Sequence, residues 1–92
     1  MTVKIDDIEF DHVVYDREAD VLYLAVGPRR AASDFDASPE GHYLRYDENG
    51  KLFGVTIVNA RWLLEQDGKI VITLPDGGRL ETSELGDVLA AA

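Results

Sequence analysis

The stretch Tyr15-Asp16-Arg17-Glu18-Ala19-Asp20-Val21-Leu22-Tyr23-Leu24 decides how this chain is read. A polar run from Asp16 to Asp20 gives way at Val21 to apolar residues at every position through Val26. Aspartate side chains accept hydrogen bonds from backbone N–H groups two or three residues on, and so shape reverse turns. The stretch therefore reads as a hairpin turn feeding a strand over 21–27. Along that strand Val21, Tyr23 and Ala25 point one way and Leu22, Leu24 and Val26 the other. Both sets are apolar, which predicts a central strand covered on both faces.

Outward from this strand, turn signals recur at short intervals. Asn49-Gly50, Asp67-Gly68 and Asp76-Gly77-Gly78 each separate apolar runs, and Gly27-Pro28 closes the strand itself. Asn-Gly and Asp-Gly favour the positive φ of tight hairpins, hence antiparallel neighbours. The alternation predicts strands over 8–15, 42–47, 51–58 and 69–75, with short edge strands near 79–82 and 31–37. In 42–47, His42, Leu44 and Tyr46 oppose Tyr43, Arg45 and Asp47. In 51–58, Phe53, Val55 and Ile57 oppose Leu52, Gly54, Thr56 and Val58.

Two segments read as helix. One spans 60–66, capped by Asn59 and ended by Asp67-Gly68. The other spans 83–91, beginning near Thr82 or Ser83, with Leu85, Val88, Leu89 and Ala92 on one face and Gly86 inside it. An interior glycine costs about 1 kcal/mol relative to alanine, so this helix is expected to hold only by packing. The fold class expected is α+β in two layers: an antiparallel sheet with both helices on one face.

Ninety-two residues make one domain, 1–92, near the lower limit for an unaided core. A hydrophobic share of 46% suits a globular chain, and the absence of cysteine excludes disulfides and thiolate metal sites. The expected compartment is the cytoplasm. No apolar run approaches the length of a membrane span, and the N-terminus does not read as a signal peptide. Eighteen acids stand against nine bases, for a net charge of −9. That argues against nucleic acid as a partner, since phosphate neutralisation needs clustered Lys and Arg.

Asp16, Glu18 and Asp20 form the candidate functional cluster. Three carboxylates within five residues suit a small cation or an acid/base pair, but calcium needs further oxygen ligands. A sugar-cleaving pair needs a cleft between its carboxyl groups. Turn shaping explains all three more simply. Asp34-Phe35-Asp36-Ala37-Ser38-Pro39-Glu40 begins like a calcium loop, yet Pro39 stands where a glycine is needed and Arg45 where a glutamate is. His12 and His42 lack partners at metal-ligand spacing and read as hydrogen-bonded, partly buried strand residues. Tyr15, Tyr23, Tyr43, Tyr46 and Trp62 read as filling between sheet and helices. Arg29-Arg30 is an isolated basic pair. No cofactor is implied.

Tyr15-Asp16-x-Glu18-Ala19-Asp20-x-Leu22-Tyr23-Leu24, with Asp47-x-x-Gly50-Lys51-Leu52-x-Gly54-Val55-x-Ile57 and Ala60, resembles the bacterial and archaeal domain of unknown function 2283. The resemblance covers residues 12–60 and leaves 61–92 as an added helix, hairpin and helix. Thr56 stands where that family often carries Glu. The resemblance implies a compact β-rich domain and supplies no catalytic residue. Because some related genes sit beside toxin genes, it also suggests an antitoxin-like role against a basic toxin. The function expected is a small protein-interaction module without catalysis, binding a protein partner or itself as a homodimer. A carboxylate- or metal-dependent enzyme built on the acidic turn is the third reading.

Overall fold

The computed structural model describes residues 2–91. Its elements run β1 (Val3–Ile5), β2 (Ile8–Phe10), β3 (His12–Asp16), β4 (Val21–Ala25), β5 (Asp34–Ala37), β6 (Tyr43–Tyr46), β7 (Leu52–Val58), α1 (Ala60–Asp67), β8 (Ile70–Thr73), β9 (Arg79–Thr82) and α2 (Gly86–Ala91). The expected hairpin forms, with Asp16 opposite Val21 and His12 opposite Ala25. β4 pairs on its other side with β7, giving an antiparallel sheet in the order β3-β4-β7-β6-β5. Two further antiparallel hairpins, β1-β2 and β8-β9, stand beside it. The fold class is α+β, as expected.

Alternation divides the five-stranded sheet into two unlike faces. Leu22, Leu24, Leu44, Val55 and Ile57 point inward and are wholly buried. Val3, Ile5 and Phe10 from the first hairpin, Ile70, Ile72 and Leu80 from the last, and Leu85, Val88 and Leu89 join them in one core. Each fully buried Leu or Ile contributes about 1.5–3 kcal/mol. β1 lies beside β9 and α1 beside β8, so the outer hairpins and helices close the inner face together.

Several expectations need correction. The strand over 8–15 is two strands broken at Asp11, whose carboxylate accepts the Gly27 N–H at 2.9 Å and ties the break to the end of β4. β1 went unanticipated, although Val3 and Ile5 alternate around Lys4 and Asp6 turns the chain at φ 54°. α2 starts at Gly86, not near Ser83, because the Thr82 hydroxyl accepts the Glu84 N–H and holds 82–84 in a turn. Gly86 therefore opens the helix and carries no interior penalty. Ala92, expected on its apolar face, lies outside the described residues.

The largest correction concerns β4, which is interior to the sheet but covered on one face only. Tyr23 is 43% exposed, and the outer face around it lies open because both helices and both small hairpins pack on the inner side.

Candidate functional site

Two acids of the turn, Asp16 and Asp20, bond to backbone N–H groups. Asp16 accepts the Ala19 N–H at 3.2 Å, the short bond that bends the hairpin. Asp20 does something the sequence did not suggest. It sits in the left-handed region at φ 56°, and its carboxylate accepts the Tyr15 hydroxyl at 2.7 Å, the Arg61 N–H at 2.8 Å and the Trp62 N–H at 3.1 Å. Its carbonyl accepts the Ala60 N–H. Asp20 is thus the cap of α1, supplied from 41 residues away. Asn59, expected in that role, lies at φ 60° and makes no side-chain capping bond. Burial alone would raise the Asp20 pKa, but the bonds from Arg61, Tyr15 and Trp62 outweigh it and hold it below the usual carboxylate range. No group of three or more His, Cys, Asp or Glu side chains among the described residues is placed to hold a metal ion.

The two histidines fare differently. His12 is exposed, with Nε2 3.9 Å from an Asp11 carboxylate oxygen. His42 is 1% exposed. Its Nδ1 accepts the Val58 N–H at 3.1 Å, so the ring proton sits on Nε2, which has no acceptor among the described residues. Burial holds the His42 pKa below the ordinary value of 6.5, against the pull of the Glu40 carboxylate. Nearby, Glu40 accepts both the N–H and the hydroxyl of Thr73, joining the 38–41 loop to β8.

The outer face of the sheet is the surface that needs an explanation. Its central row reads Val14, Tyr23, Thr56, Tyr43 and Ala37 across the five strands. The row to one side reads His12, Ala25, Gly54, Arg45 and Phe35; on the other side stand Asp16, Val21 and Val58. Val14 is 62%, Tyr43 55% and Phe35 68% exposed, so Tyr23 and Tyr43 do not fill the core as expected. Trp62, at 55%, does not either. The sequence did carry a signal: Gly54 and Thr56, on one side of β7, lack the apolar bulk that a second core needs.

The β5 edge of the sheet is closed, in contrast. Asp34 accepts the Phe35 N–H at 2.9 Å and Asp36 the Ala37 N–H at 2.8 Å. Each carboxylate blocks the outward donor of the next residue on β5, which deters strand addition there. A cleft of about 760 Å³ borders this edge and carries five carboxylates, from Asp34, Asp36, Asp47, Glu48 and Asp76. A second cleft, of about 410 Å³, opens on the outer face at the Arg45 end.

The profile of the family described as protein of unknown function (DUF2283) matches residues 12–61, which include the hairpin turn, the whole five-stranded sheet and the start of α1. No curated protein and no solved structure matches the chain. No helix among the described residues is long and apolar enough to cross a membrane.

Proposed function

The chain belongs to the DUF2283 family, and from this premise we propose that it is an interaction module that associates with a second copy of itself through the outer face of the five-stranded sheet. The observation that carries this reading is the open row Val14, Tyr23, Thr56, Tyr43 and Ala37, uncharged from edge to edge. Charge favours a second copy as the occupant. The chain has 18 acids, yet Asp16 alone stands on the outer-face ladder. Two copies therefore meet here with less repulsion than their net charge of −9 would impose elsewhere. A two-fold axis lying across the strands sets the Asp16 end of one sheet over the His12 end of the other, which keeps the two Asp16 carboxylates apart. The blocked β5 edge disfavours strand addition on that side of the sheet.

The size of the face sets the strength. Five strands at about 4.8 Å spacing and five residues at about 3.3 Å rise give a plane of roughly 400 Å² per copy. A total near 800 Å² lies below the standard stable interface and suits a weak, reversible dimer. Light scattering from micromolar to millimolar chain should show the mass rising from one copy towards two. Tyr43→Lys places a lysine in the middle of the contact and should hold the mass at one copy throughout. A wild-type mass fixed at one copy up to millimolar concentration, or a Tyr43→Lys dimer as tight as wild type, defeats the proposal.

A further inference from the structure

We propose that the cleft at the Arg45 end of the outer face binds a small organic oxyanion, a carboxylate or phosphate ester with a flat apolar body. The chain has nine basic residues, and Arg29, Arg30 and Arg45 all line this one cleft, joined by His12. Among the described residues none of these arginines has a carboxylate within ion-pair distance. Asp11 and Asp47 serve other ends. Asp11 is engaged by the Gly27 N–H, and Asp47, which feels the Arg30 charge, accepts the Lys51 and Asn49 N–H groups.

The arginines are held in place. The Arg30 guanidinium stands 4.2 Å from the centroid of the Phe53 ring and that of Arg45 5.6 Å from it. Phe53 is 3% exposed, so the two cations gather around a fixed aromatic platform. Arg45 also lies flat against Gly54, where an added Cβ would fall 2.5 Å from Nε and 2.7 Å from Nη2. Its Nε is buried and without an acceptor. A planar guanidinium held in this way offers paired donors that a carboxylate or phosphate matches. The bound anion would take N–H donors of the guanidiniums and relieve the repulsion between them. Val14, Tyr23 and Ala25 form the apolar wall, and the volume falls within the range of small-molecule sites.

The cleft shares Val14, Tyr23 and His12 with the face proposed to pair, but Arg30, Arg45 and Phe53 carry this inference, and Tyr43 does not line the cleft. Amide shifts of the ¹⁵N-labelled chain should therefore be followed in both wild type and Tyr43→Lys, during titration with benzoate, phenyl phosphate and uncharged benzamide. The anions are expected to move Gly54, Arg45 and Gly27 saturably in both proteins, with benzamide at least about tenfold weaker. Arg45→Met should weaken anion binding at least about tenfold while leaving the spectrum dispersed, and Arg45→Lys should lose less. Equal responses to benzamide and benzoate, unaltered binding in Arg45→Met, or shifts that never saturate would each overturn the site. Saturable binding in a Tyr43→Lys chain that never dimerises, beside a wild type that never dimerises, would keep the site and reject the self-association.

Discussion

Replacing His42 with alanine is expected to destabilise the fold by about 3 kcal/mol, lowering Tm by about 15 °C in a domain of this size. Two costs combine. The ring is buried, so its removal leaves a cavity. The Val58 N–H, which donates to Nδ1, loses its acceptor. His42→Asn should recover part of the loss, because its amide oxygen can take the place of Nδ1. The same geometry makes wild-type stability depend on pH. The folded pKa lies below the ordinary 6.5, so the fold holds the ring neutral. That contribution is complete above 6.5 and fades as pH falls through the window below it, because the imidazolium has no lone pair for Val58. Tm should therefore decline as pH drops from 8 to 5, and His42→Asn should flatten that decline. The carboxylates act lower. Burial pushes Glu40 upward, but the bonds from Thr73 prevail and bring it to about 2, so its contribution is lost between the ordinary 4.5 and about 2. A wild-type Tm constant from pH 8 to 5, or a decline of equal slope in His42→Asn, contradicts the assignment.

Asp20→Ala should rank next, at about 2 kcal/mol. Loss of a helix cap costs about 1 kcal/mol, and the Tyr15 hydroxyl loses its acceptor as well. The site is half-buried, so water replaces part of what is lost and keeps the figure modest. Asp20→Asn should fall between, keeping one acceptor oxygen and no charge. Asp16→Ala, which removes a single exposed turn bond, should cost under about 1 kcal/mol. Urea unfolding of the three variants checks the order. The diagnostic readout is local: in Asp20→Ala the amide protons of Arg61 and Trp62 should exchange faster than those of β4. Equal losses for Asp16→Ala and Asp20→Ala would mean that the acidic turn acts as one unit and that capping is not what Asp20 does.

The fold was legible where chemistry is local. Asn49-Gly50 and Asp76-Gly77 mark hairpins because positive φ favours residues of that kind, and Gly50 and Gly77 adopt φ 76° and 90°. Alternation grouped Val55 with Ile57, and both are buried in the core, but Phe53, grouped with them, leaves the core for the Arg45 cleft where the pairing of β6 and β7 shifts register. What escaped was set by contacts distant in sequence. Asp20 looks like any turn aspartate, and nothing near it announces that α1 begins 41 residues later beside its carboxylate. Arg29-Arg30 looked isolated because Arg45, which completes the basic cleft, arrives from β6. The open outer face was misread for a different reason. Tyr23 and Ala25 are apolar enough for a core, and pattern alone cannot say whether the layer that covers them comes from the same chain.

That covering layer is the central claim, and isotope-filtered NMR on a one-to-one mixture of labelled and unlabelled chain at millimolar concentration tests it most directly. The outer-face account predicts intermolecular contacts from the Val14 methyls and the Tyr23 and Tyr43 rings, vanishing in Tyr43→Lys. Intermolecular contacts confined to β5 or to the helices, or none at all while Val14 and Tyr43 stay solvent-exposed, would contradict it.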